Sequence, residues 1–130
     1  MNFGIQDQRY FDAAEGWLAL GNCHEANEEL EQLTPEFRSH PDVLFLRYEI
    51  YEKAEKWECA FEVARAITIK SPDCSLAYVY MAYCLHELKR TQEALDVLLS
   101  VVDKFPKYYN IHYNVACYWR REPGGKKGVP

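Results

Sequence analysis

The side chains that could do chemistry are spread through the 130 residues without the spacings that chemistry needs. His24, His40, His86 and His112 form no H-x-x-x-H pair. Cys23, Cys59, Cys74, Cys84 and Cys117 form no C-x-x-C pair, so no zinc-type ligand set is legible. His86 and Cys84 are two residues apart, which puts them on different faces of a helix. Ser39, Ser71, Ser75 and Ser100 lie in no nucleophile-elbow pattern, and the only glycine cluster, around Gly124-Gly125, has no phosphate-loop spacing. The run from Glu25 to Glu31 is rich in carboxylates, but on a helix it reads as a solvated outer face. The expectation is a chain that is not an enzyme and needs no cofactor or metal. What remains is the chemistry of binding: carboxylates beside aromatic rings.

Composition sets the frame for that chemistry. The chain is 48% hydrophobic and 27% charged, enough apolar content for one globular domain without disulfides. An odd number of cysteines without pairing motifs suggests small buried residues in a reducing compartment, so the expected address is cytoplasmic. Met1–Trp17 lacks a basic start followed by an apolar run, and no stretch approaches the roughly 18 apolar residues of a membrane span. Residues 1–60 carry thirteen acids and five bases; residues 61–130 carry seven acids and ten bases. An acidic front and a mildly basic back argue against a nucleic-acid partner and against a membrane surface.

The elements that must position these side chains follow from a repeat. Ala26, Ala60 and Ala94 are 34 residues apart and each opens an apolar stripe: Leu30 and Leu33, Ala64 and Ile67, Leu98 and Val101. Pro72 and Pro106 share the same period. Upstream of each alanine stands a second stripe at i, i+3, i+4, i+7, which lies on one helix face: Tyr10, Ala13, Ala14, Trp17; Leu44, Arg47, Tyr48, Tyr51; Tyr78, Met81, Ala82, Leu85; and His112, Val115, Ala116, Trp119. The pattern predicts helices near 7–20, 23–33, 43–54, 57–70, 74–88, 91–105 and 108–121. Gly21-Asn22, Ser71-Pro72-Asp73 and Phe105-Pro106 suit the breaks, with Asp42 and Thr91 as expected N-caps. Between Ala26 and Pro41 the spacing is longer, so the second helix should stop at Thr34-Pro35, Glu36–His40 should form an extra turn, and the next helix should be three residues shorter.

A 34-residue helix-turn-helix unit of this kind resembles the tetratricopeptide repeat, W-x₂-L-G-x₂-Y, then A-x₃-F, then P. Tyr78, Met81, Ala82, Leu85, Ala94, Leu98 and Pro106 fill the slots best, and Tyr113–Tyr118 looks like the first helix of another unit. The slot for a small residue holds Ala14, Ala82 and Ala116 but Tyr48 in the second repeat; either that repeat packs differently or its register is off by a turn. The resemblance implies an all-α, right-handed α-solenoid of antiparallel helix pairs. It would hold three repeats (about 7–40, 41–73 and 74–107) and a capping helix 108–122 in one domain, 1–122, with 123–130 as a flexible basic tail. The rather apolar Ile111, Val115, Tyr118 and Trp119 suggest that the last helix docks against a second copy or a partner.

In this family the first helix of each pair lines a concave face that binds partner peptides or helices. By register that face would hold Phe11, Glu15 and Leu18; Phe45, Glu49 and Glu52; Val79, Tyr83 and His86; and Tyr113, Cys117 and Arg120. Some members grip a terminal carboxylate with lysines and asparagines; Phe11 and Glu15 stand in those places here, so that clamp is not expected. The resemblance thus implies a protein-interaction scaffold for a partner segment mixing basic and apolar side chains. The alternatives are a chaperone for secreted substrates, some of which dimerise through terminal helices, and a self-assembling unit whose Arg120–Lys127 segment enters a neighbour's groove.

Overall fold

The computed structural model describes residues 3–121, all helix and connecting turn; the expected tail at 123–130 lies outside the described residues. In chain order the helices are α1 (Ile5–Ala19), α2 (Cys23–Glu31), α3 (Pro35–Arg38), α4 (Pro41–Lys53), α5 (Trp57–Lys70), α6 (Ser75–Glu87), α7 (Thr91–Val101) and α8 (Tyr109–Arg121). α1 packs on α2, α4 on α5 and α6 on α7; α2 then meets α4, α5 meets α6, and α7 meets α8. The result is an α-solenoid of helix pairs. No helix among the described residues is long and apolar enough to cross a membrane.

The turn inside each pair is the same object three times. Gly21, Glu55 and Lys89, each 34 residues apart, all adopt positive φ, at 80°, 57° and 65°. The next amide in each case donates back to the preceding helix: Asn22 N–H to Trp17 O at 2.9 Å, Lys56 N–H to Tyr51 O at 2.9 Å, and Arg90 N–H to Leu85 O at 2.8 Å. This left-handed stop satisfies orphan carbonyls and reverses the chain into the second helix. Only the first position holds glycine, so at Glu55 and Lys89 the turn, closed by those backbone hydrogen bonds, holds a conformation that costs an L-residue about 1 kcal/mol.

The extra turn forms, at Pro35–Arg38, but the shortening falls elsewhere than expected. α4 has 13 residues, as many as α6, whereas α2 has 9 against 14 in α5 and 11 in α7. Pro35 has no N–H to offer Glu31 O, so α2 cannot continue, and Arg38 supplies donors instead: Nη2 to Glu31 O at 2.8 Å and Nε to Leu33 O, just past the helix, at 3.1 Å. The N-caps also sit one or two residues earlier than expected. His40 caps α4, its Nδ1 accepting from Asp42 N–H at 3.1 Å, and Arg90 precedes α7, leaving Thr91 as its first residue.

Three apolar clusters run along the solenoid. The front one gathers Phe11, Ala14, Ala26, Leu30, Leu33, Val43, Leu46 and Ile50. At its open end Phe3 covers Phe11 and Phe37, with ring centroids 5.8 and 4.7 Å away, and buried Asp7 accepts from Thr34 N–H at 3.0 Å and Thr34 Oγ1–H at 2.9 Å. Those charge-assisted bonds fasten α1 to the start of α3. The middle cluster is Tyr48, Ala60, Ala64 and Cys84; the rear one runs from Ala82 and Leu85 through Leu98 to Ile111 and Tyr118. Ile111 and Tyr118 therefore face inward, so only Val115 and Trp119 of the four expected end-surface residues remain half-exposed. Cys59 is exposed, and Cys84 alone of the five cysteines is fully buried.

Candidate partner-binding groove

Tyr48 explains how the second pair fits its neighbours. It occupies the position held by Ala14 and Ala82, and all three side chains are fully buried, so the register holds. Each shares a core cluster with a residue in the following unit: Ala14 with Ile50, Ala82 with Tyr118, and Tyr48 with Cys84. The clusters combine small then large at two junctions, and large then small at the one between. The ring of Tyr48 stacks on Tyr80, with centroids 4.2 Å apart and planes within 7°. Its hydroxyl donates to a Glu52 carboxylate oxygen at 3.2 Å, and the Cys84 thiol donates to that hydroxyl at 3.8 Å. A polar thread therefore runs from the core to Glu52 at the surface.

At its outer end, two adjoining depressions open beside α1 and α4. One is lined by Glu15, Leu18, Ala19, Leu46 and Glu49; the other by Leu18, Ala19, Glu49, Glu52, Lys53 and Tyr80. The structure thus brings Glu15, Leu18, Glu49 and Glu52 together. Among the described residues the ion pairs join Arg47 to Glu31, Arg65 to Glu62, Arg90 to Glu93 and Lys104 to Asp73, and none reaches these three carboxylates. Burial, and then the like charges of Glu52 and Glu15, hold the Glu49 carboxyl above its ordinary range. Burial and the charges of Glu49 and Glu52 likewise raise the Tyr80 phenol. Burial raises Tyr48, with Cys84 and Glu52 adding to it, and pushes the Cys84 thiol up to about 11, so both stay protonated at neutral pH.

The other expected groove residues are placed differently. Phe11 is the departure: it is 8% exposed and packed in the front core, because the slot beneath Phe3 and above α2 takes an aromatic ring. Phe45 is half-buried with its edge toward Tyr80 at 6.2 Å, and Val79 packs on the rear core. Tyr83 is exposed and meets Trp57 edge-on at 5.3 Å; burial and the charges of Glu87 and Glu52 raise its phenol. His86 is half-buried, stacks on Tyr118 at 4.9 Å and shares a hydrogen bond with Thr91 Oγ1 at 2.9 Å. Tyr113, Cys117 and Arg120 line a separate depression on α8. Sequence reasoning missed Tyr80, which sits one residue off the i, i+4, i+7 stripe, and Lys53, a cation that lines one of the acidic depressions. Among the described residues no three His, Cys, Asp or Glu side chains converge on a metal-sized site.

Comparison with solved structures places this architecture. Residues 41 to the end of MamA from Desulfovibrio magneticus RS-1 superpose with a TM-score of 0.77 at 19% identity, over 97% of this chain and 69% of that one. The Sgt2 TPR domain from Aspergillus fumigatus gives 0.74 at 14% identity, over 98% and 85% of the two chains. The chain has the tetratricopeptide-repeat fold. A third such structure is the first TPR of Spaghetti (RPAP3) bound to the HSP90 peptide SRMEEVD, with a TM-score of 0.73 at 14% identity, over 91% and 98%. No family model matches the sequence. No curated protein matches it either.

Proposed function

We propose that this tetratricopeptide-repeat chain is a protein-interaction scaffold whose concave face beside α1 and α4 takes a partner segment mixing basic and apolar side chains. The observation that carries this reading is the trio Glu15, Glu49 and Glu52, in no ion pair among the described residues and set around Leu18 and Tyr80. Three carboxylates close together repel one another; the like charges of Glu52 and Glu15 add to burial in raising Glu49, and an incoming Arg or Lys relieves that repulsion. Leu18 and the Tyr80 ring offer the apolar contact and the π face beside that charge. Each depression is shallow and open to solvent, which suits a side chain or two of a longer segment.

The charge logic is opposite to that of the SRMEEVD peptide held by the RPAP3 domain, whose last four residues carry three acidic side chains. The test is fluorescence anisotropy with labelled short peptides alternating Arg and Leu, the same peptides with Glu in place of Arg, and SRMEEVD. The basic series should bind and weaken as salt rises, and the acidic ones should not bind. Glu15→Lys with Glu49→Lys should cost the basic series about tenfold or more in affinity. Equal binding of basic and acidic peptides, or no loss in the double variant, sinks the reading.

A further inference from the structure

The C-terminal end of the solenoid carries a seat that no helix among the described residues fills. Ala82 is fully buried, in one core cluster with Ala94, Leu95 and Leu98 of α7. Ala116, 34 residues later, is the same small residue at the same position, and it is exposed. A small side chain there lets a helix backbone approach closely, which is its use at Ala14 and Ala82. Beside it a groove between α7 and α8 is floored by Leu99, Val102, Val115 and Trp119. Asp103, in the connection leading into α8, and Arg120, in its last turn, also line this groove. Neither makes an ion pair among the described residues.

We propose that this groove is a self-association surface, filled by α8 of a second copy running antiparallel across a two-fold axis. The reason to commit to a second copy is the placement of the two charges. An isologous contact requires a surface complementary to itself. Antiparallel α8 helices bring Arg120 of each copy to the end of the groove where the other holds Asp103, forming the same pair twice. The apolar residues between, Val115 and Trp119, then cover one another and close over Ala116. About eight residues separate His112 from Arg120, near 12 Å along the helix, so the two pairs flank the apolar centre rather than crowd it. The contact is independent of the acidic depressions on α1 and α4.

The test is the mass of the full chain by sedimentation equilibrium across a concentration series. The wild type should dimerise, and Val115→Glu, which puts a charge in the centre, should leave it monomeric. Arg120→Asp, an exposed substitution that leaves the core intact, should weaken the dimer about tenfold, and Asp103→Arg combined with Arg120→Asp should restore it. A wild type that stays monomeric to high micromolar concentration overturns the proposal, and so does a dimer indifferent to Val115→Glu. Failure of the charge exchange to restore the dimer overturns the antiparallel arrangement.

Discussion

The junction between the second and third helix pairs inverts the other two. At the first junction Ala14 shares the core with Ile50 and at the last Ala82 shares it with Tyr118; in the middle, Tyr48 contacts Cys84. Close packing constrains the sum of volumes across a junction, not which helix supplies the bulk, so a tyrosine in a small-residue slot is accommodated when its opposite number shrinks. The two arrangements differ in consequence. Ala14 and Ala82 bring no polar atom into the core. Tyr48 brings a hydroxyl that must be satisfied, and its acceptor is Glu52, a groove carboxylate. The middle junction is therefore coupled to the acidic depressions beside α1 and α4 in a way the flanking ones are not.

The comparison breaks first at Tyr48→Ala. Removing a fully buried ring that stacks on Tyr80 should cost about 3–5 kcal/mol in urea unfolding, since Cys84 cannot fill the space. Cys84→Ile gives the middle junction a large residue on both sides and should cost about 1–3 kcal/mol by overpacking. Combined with Tyr48→Ala it recreates the pairing at Ala14 and Ile50, so the double variant should be more stable than the two losses added together. Strict additivity would mean that the two side chains do not share one volume.

Tyr48→Phe keeps the ring and removes only the hydroxyl, for about 1 kcal/mol. It also releases Glu52, so peptide affinity at the concave face should change while Ala-slot substitutions elsewhere leave it alone. The smallest effect belongs to Glu49→Gln. Its carboxyl is raised in the folded chain, so the native state binds a proton that the unfolded state has already lost. That destabilises the fold above the raised value, and the penalty disappears as pH falls below the ordinary glutamate range. Glu49→Gln should accordingly stabilise the chain slightly at neutral pH and make no difference in acid. Stabilisation that persists in acid would point to a cause other than like charge and burial.

Much of this was legible in the residues. Three alanines and two prolines on one 34-residue period, with i, i+3, i+4, i+7 stripes before each alanine, place the helix pairs to within a few residues. The Thr34-Pro35 break and the extra turn follow from proline chemistry alone. The convergence of Glu15, Glu49 and Glu52 follows from register, because one face of successive first helices must point the same way. Less legible were the turns at Glu55 and Lys89. Neither residue type favours positive φ, and only their distance of 34 and 68 residues from Gly21 hints at it.

By itself, then, the sequence determined the period, the helix pairs and the convergence of Glu15, Glu49 and Glu52, because these depend on spacing and charge along one chain. Only the tertiary structure decided that Phe11 is core rather than contact surface, that Tyr48 fits, and that Tyr80 joins the groove. Each of those outcomes depends on the volume offered by residues on another helix or at the chain's open end, some 30 positions away for Tyr48 and Tyr80. A helical stripe tells which way a side chain points; the neighbour across the junction determines how deep it lies.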